Sequence, residues 1–218
     1  IGGILKVDDA DRMPRQIDCY FAVYSPWSFL GHAALMKIVA NRGAQVRFRP
    51  TPLLEVFRET GGLPLGQRPA ARQRYRWMEL QRWRDRRGIA FNFKPKYWPY
   101  QGALPDRAVI ALTLEARDPA PFLSRAYAAC WQEDMDLGDE AVVAGLLAEA
   151  GEDAPAIVER AKSAMVEALY AENGGHAIAA GVFGAPSYVL DGEVFWGQDR
   201  LDMLDDALAS GRKPYLPL

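Results

Sequence analysis

The chain has 218 residues, half of them apolar and a quarter charged, with a formal net charge of −2. That balance suits a globular protein with a sizeable core and gives no global attraction to nucleic acid or a membrane surface. Two distant cysteines, Cys19 and Cys130, and no apolar run near the roughly 20 residues that span a bilayer argue against a disulfide framework, a zinc knuckle or a membrane helix.

Residues 1–15 show no initiator Met and no signal-peptide pattern; they read as an extension outside the fold, and the expected location is the cytoplasm. "QIDCYFAVY" (16–24) alternates Ile17, Cys19, Phe21 and Val23 on one face, which predicts a strand. Ser25 and Pro26 then read as an N-cap and a first helical residue. The helix that follows, "WSFLGHAALMKIVANRG", stops at Gly43. "AQVRFRP" (44–50) predicts a second strand. From about residue 67 to 181 nearly every periodic segment is helical: "RPAARQRYRWMELQRWRDRRG", "DRAVIALTLEAR", "PFLSRAYAACWQED", "DEAVVAGLLAEAG" and "APAIVERAKSAMVEALYAENGG", with Gly and Pro between them. Strands return in "PSYVLDGEVFWG" (186–197), where Asp191-Gly192 signals a tight type I′ turn. "DRLDMLDDALASG" (199–211) closes the chain as a helix with Asp199 at its N-cap.

The order β-α-β, helices, β-β-α predicts an α/β fold whose one sheet is supplied from both ends of the chain. The expected division is a first part over 16–60, an all-helical insertion over 61–181 and a second part over 182–218.

Several residues carry chemistry as well as structure. Ser25 stands where a thioredoxin-like strand–helix junction places its first cysteine, and Ser28 replaces the second, so disulfide exchange through this motif is impossible. A hydroxyl at a helix N-terminus can still donate to a ligand thiolate. The helix end contributes about 0.3–1 kcal/mol and a hydrogen bond to a charged group about 1.5–3 kcal/mol. Together they can ionise most of a thiol whose pKa is about 8.5. Pro186, after Ala185 at the entrance to the hairpin, reads either as a turn proline or as the cis-proline of a thioredoxin-like fold; the second reading would leave the Ala185 backbone free to pair with an extended peptide-like ligand. Gln198 and Asp199 open the last helix, where they can hold the amino and carboxylate ends of a γ-glutamyl group.

Residues 68–87 hold eight arginines with Tyr75, Trp77 and Trp83 interleaved. An amphipathic helix with a solvated Arg face and a Trp77, Leu80, Trp83 stripe explains them better than nucleic acid does, and some can attract an anionic small molecule. His32 and His176 are too few and too far apart for a zinc motif or a Ser-His-Asp triad, so no metal is expected.

Ser-Pro-x-Ser after the first strand, the helical insertion, "GVFGAP" before the hairpin and "FWGQDRLDML" at the last helix occur here in order. "ELQRWRDRRGIAF" (79–91) and Tyr97 in "KPKYWP" complete the pattern. Over about residues 17–209 the chain resembles the 2-hydroxychromene-2-carboxylate isomerase family, relatives of kappa-class glutathione transferases with the DsbA-type thioredoxin fold. The resemblance implies a cytoplasmic, homodimeric, glutathione-dependent isomerase of an anionic aromatic substrate, without nucleic-acid or membrane partners. It implies that Ser25 activates the glutathione sulfur, that Ala185 and Pro186 receive the cysteinyl unit, and that Gln198 and Asp199 hold the γ-glutamyl end. Tyr97, Arg72 and Trp27 are the implied substrate contacts. Gly62 stands where the family carries Asn, and Ala71 where it carries Lys, with Arg72 as the stand-in. A kappa-type transferase and a non-catalytic peptide-binding module are the alternatives.

Overall fold

The computed structural model describes residues 14–217. β1 (Gln16–Phe21) and β2 (Gln45–Pro50) flank α1 (Pro26–Arg42) and pair in parallel. β3 (Ser187–Leu190) and β4 (Glu193–Trp196) form the hairpin, with both turn residues at positive φ as a type I′ turn requires. β3 lies antiparallel to β1, so the sheet runs β2-β1-β3-β4. Strands from the two chain ends are thus neighbours at the centre.

β1 serves two cores because its side chains alternate. Ile17, Cys19 and Phe21 enter the larger core with α1 and the insertion, whereas Tyr20 enters a smaller one with Val56, Ala177, Val182 and Val189. The insertion comprises α3 (Ala70–Arg87), α4 (Leu104–Leu114), α5 (Ala120–Trp131), α6 (Glu140–Glu149), α7 (Ala154–Ala161) and α8 (Ala164–Ala179). After it, α9 (Leu201–Ser210) packs against α1. Among the described residues no helix is long and apolar enough to cross a membrane.

The structure differs from the sequence expectation in four places. A further helix, α2 (Leu53–Thr60), follows Pro52 and buries Leu53 and Val56. The segment read as one helix over 154–175 is two, because Ser163 leaves helical geometry and caps α8 by accepting the Val166 N–H. Asp199 is not the cap of α9: it lies inside a 3-10 turn, Gln198–Arg200, that precedes it. The extension expected over 1–15 lies outside the described residues up to 13, but Arg15 belongs to the fold. Its carbonyl accepts the Gln45 N–H at 2.9 Å and its guanidinium donates to the Ala207 carbonyl and to Asp191.

His32 shows how α1 is tied to the insertion. Ser124 gives its hydroxyl hydrogen to the Ala120 carbonyl, so at 2.9 Å the His32 Nε2–H donates to Ser124 Oγ. The ring is buried against Tyr127 and Phe48, and burial pushes its pKa down to about 4. The folded protein refuses a proton that the unfolded chain accepts near pH 6.5. The stability His32 contributes is therefore complete above pH 6.5 and lost as pH falls toward 4, on the order of 3 kcal/mol in all. Urea unfolding is expected to show His32→Gln gaining stability relative to the wild type as pH falls from 6.5 to 4; a difference between the two that does not change with pH would exclude this burial effect.

Candidate active site

The segment between β1 and α1 runs over residues 22–25. Its backbone groups are held by side chains of the insertion. Asp106, on α4, accepts the Val23 N–H at 3.1 Å; Trp131, on α5, donates its indole N–H to the Val23 carbonyl at 3.3 Å. Trp98 donates to the Tyr24 carbonyl at 2.7 Å and packs against Trp131. With Val23 and Tyr24 held, Ser25 enters α1 with extended backbone and caps it: its Oγ accepts the Ser28 N–H at 3.3 Å. Its carbonyl accepts the Phe29 N–H, and Pro26 has no N–H to satisfy. The Trp27 N–H, one of the first-turn donors that a helix cannot pair internally, has no acceptor among the described residues. Because Ser25 Oγ is used as an acceptor, its hydroxyl hydrogen remains available to a ligand.

The other wall comes from the C-terminal part. The Ala185–Pro186 bond is cis, and neither backbone group of Ala185 is bonded to another described residue. Gly184 makes this approach possible: a Cβ there would stand 2.6 Å from the Trp196 indole nitrogen. At Gly197 the backbone takes φ 101, a conformation that suits glycine, and the 3-10 turn begins with Gln198. Gln198 is 2% exposed and seated against α1, where a Cβ on Gly31 would come within 2.7 Å of its own Cβ.

Between these walls lies a cleft of about 550 Å³. Trp27, Ala185, Gln198 and Asp199 line it, and α3 contributes Arg72, Glu79 and Trp83. Five of the eight residues expected from the sequence are thus brought together or onto its wall. Ser25 and Pro186 are not part of the lining; both are buried, Ser25 two residues before Trp27 and Pro186 next to Ala185 in the chain. Tyr97 is not part of the lining; it is 38% exposed under Lys96 on the loop after α3. Gly62 and Phe57 line the cleft as well, and a Cβ at 62 would overlap the Phe57 ring, which explains why no side chain stands there.

The sequence reading missed Asp106, Trp98, Trp131 and Arg87. Asp106 looked like a residue in a helix's first turn, and Arg87 like one more cation on a solvated face. A signal existed for α3: Arg72, Glu79, Trp83 and Arg87 recur at helical spacing on one side.

Burial shifts several titratable groups in this region. Burial pushes the Asp106 carboxyl up to about 7, opposed only by the Val23 N–H and its own backbone amide, while its second oxygen has no partner. The buried phenols of Tyr24, Tyr100 and Tyr170 are pushed up by burial first and by Asp106 second. Arg76, over the Trp77 and Trp98 rings, is pushed down to about 10 by burial and then by Arg68, which leaves it cationic at neutral pH. Cys19 and Cys130 are free and buried; burial raises both thiols, Cys130 to about 12. Neither supplies a thiolate at neutral pH.

The family model described as the DSBA-like thioredoxin domain matches residues 16–209, and the chain belongs to that family. A 2-hydroxychromene-2-carboxylate isomerase of Sphingobium xenophagum is 29% identical over 198 residues, spanning 90% of this chain and 99% of that protein. The glutathione S-transferase kappa 1 of Homo sapiens is 24% identical over 204 residues, 88% of this chain and 90% of the relative. Among solved structures, a 2-hydroxychromene-2-carboxylate isomerase superposes with a TM-score of 0.73 at 28% identity, over 89% of this chain and 95% of that one. The cytosolic disulfide reductase DsbM from Pseudomonas aeruginosa with GSH shares the fold, at TM-score 0.65 and 18% identity over 89% and 96% of the two chains.

Asp106 gives a test of the hold on the site segment. Its folded-state pKa is raised, so its contribution is complete below about pH 4 and lost as pH rises toward 7, on the order of 4 kcal/mol. Asp106→Asn keeps an acceptor for Val23 and should gain stability relative to the wild type as pH rises through that window. Asp106→Ala leaves the Val23 N–H buried and unpaired, at a cost of about 1–3 kcal/mol at pH 5. Denaturant midpoints across pH 4–8 for the three proteins provide the check; parallel curves for wild type and Asn would be inconsistent with a neutral Asp106.

Proposed function

With that membership as the premise, we propose that the chain is a glutathione-dependent isomerase of 2-hydroxychromene-2-carboxylate or a related anionic aromatic. One observation carries the proposal: Trp27, Arg72, Ala185, Gln198 and Asp199, from distant stretches of sequence, line a single cleft beside the N-terminus of α1.

The residues present fit a tripeptide thiol. The volume lies within the range of small-ligand sites. The unpaired backbone of Ala185 matches an extended peptide, which adds to a strand end through main-chain bonds. Arg68, Arg72 and Arg200 stand beside Glu79 and Asp199, cations and anions suited to a ligand that carries both charges.

When bound, glutathione supplies a thiolate that adds reversibly to the unsaturated acid, permits rotation about the bond that addition makes single, and is eliminated unchanged. The chain's own part is to hold the sulfur ionised and the acid in place. Ser25 gives its hydroxyl hydrogen to the sulfur while its lone pair keeps the Ser28 N–H. The free Trp27 N–H and the positive end of α1 act in the same direction. Trp27, Phe57 and Trp83 offer aromatic faces, and Arg72 with Arg68 attracts the substrate carboxylate. A homodimer and a cytoplasmic location belong to the same proposal; two free, buried cysteines support a reducing compartment.

The kappa transferase relatives favour a second reading, in which glutathione is consumed by an electrophile. Glutathione titration followed by heat and thiolate absorbance tests both. The wild type is expected to bind the thiolate, and Ser25→Ala to raise the apparent pKa of the bound thiol by about 1–2 pH units. Unchanged thiolate absorbance in Ser25→Ala would remove the serine from the chemistry. Turnover with glutathione recovered in full means isomerase; stoichiometric loss means transferase.

A further inference from the structure

Gln198 lines the cleft, its side chain has a donor end and an acceptor end, and Arg87 holds the acceptor end. The Arg87 Nε and one terminal nitrogen donate to Gln198 Oε1 at 3.1 and 3.0 Å, and the same terminal nitrogen donates to the Gln198 carbonyl at 3.0 Å. A guanidinium has donors only, so turning the amide end for end would set N–H against N–H. Arg87 is itself fixed over the Trp83 ring at 5.2 Å, and no carboxylate among the described residues pairs with it. Gly31 closes the opposite side of Gln198 by backbone approach. The amide nitrogen of Gln198 is left without an acceptor among the described residues.

We infer that Arg87 is a positioning residue that locks Gln198 as a donor, so that this corner of the cleft takes the α-carboxylate of the γ-glutamyl unit and leaves its ammonium group to Asp199. The inference rests on the glutathione reading above. It gives the arginine at the C-terminal end of α3 a task that no solvated-face cation has: it reads the polarity of the ligand through another side chain. An amide free to rotate would present oxygen or nitrogen with little preference, and the discrimination between a carboxylate and no carboxylate would fade.

The test compares glutathione with γ-aminobutyryl-Cys-Gly, which lacks the α-carboxylate, by calorimetric titration of wild type, Arg87→Met and Gln198→Glu. The wild type is expected to prefer glutathione by about tenfold or more, the value of a charge-assisted hydrogen bond. In Arg87→Met that preference should shrink to about twofold to threefold. Gln198→Glu keeps an oxygen for Arg87 but presents a second oxygen to the ligand, so the preference should vanish or reverse even if Arg87→Met does not fold. A purely structural Arg87 would weaken both peptides alike and leave the ratio untouched, which would overturn the inference, as would a wild type that binds both peptides equally. A wild type that binds neither peptide would instead overturn the glutathione reading, and the role of Arg87 with it.

Discussion

Everything at the site depends on how three residues, Val23 to Ser25, are held between a strand and a helix. A chain leaving the centre of a sheet carries backbone groups that the sheet no longer pairs, and each left buried without a partner costs about 1–3 kcal/mol. Here the insertion satisfies them. Asp106 takes the Val23 N–H, Trp131 the Val23 carbonyl and Trp98 the Tyr24 carbonyl. These bonds come from three places along the insertion, so the start of α1 is positioned by the packed insertion. Trp27, in the first turn of α1, keeps an N–H with no acceptor among the described residues.

That arrangement divides the work. The thioredoxin part supplies backbone: the capped start of α1, the unpaired Ala185 and the 3-10 turn at Gln198. The insertion supplies side chains: Arg72, Glu79, Trp83 and Arg87 on α3. Backbone groups recognise what peptides share, whereas long charged and aromatic side chains recognise what distinguishes one ligand from another. The cleft has no usable thiol of its own, because serines occupy positions 25 and 28 and both cysteines are buried and held protonated.

Two titrations pull stability in opposite directions over the same pH range. His32 disfavours the fold as pH falls toward 4, and Asp106 disfavours it as pH rises toward 7. Both are buried at the seam between the two parts, His32 beneath α5 and Asp106 beneath the site segment. Each ties an element of the insertion to the thioredoxin part by a hydrogen bond, His32 to Ser124 and Asp106 to Val23.

Local chemistry was legible from the sequence wherever a physical rule acts over a few residues. Ser25-Pro26 had to cap a helix, Gly43 had to end it, Asp191-Gly192 had to turn a hairpin, and a β-α-β opening with a β-β-α close had to share one sheet. The pattern of Ser25, Ala185-Pro186 and Gln198-Asp199 carried the family in the same way. What the sequence could not determine is how side chains far apart in the chain meet. Asp106 and Val23, or Arg87 and Gln198, are separated by 83 and 111 residues, and no spacing rule spans that distance. Tyr97 falls away from the cleft, and Asp199 lies within a 3-10 turn rather than capping a helix, for the same reason. Periodicity reports which face of a helix is apolar, but which polar atom satisfies which buried partner is decided only when the insertion packs onto the sheet.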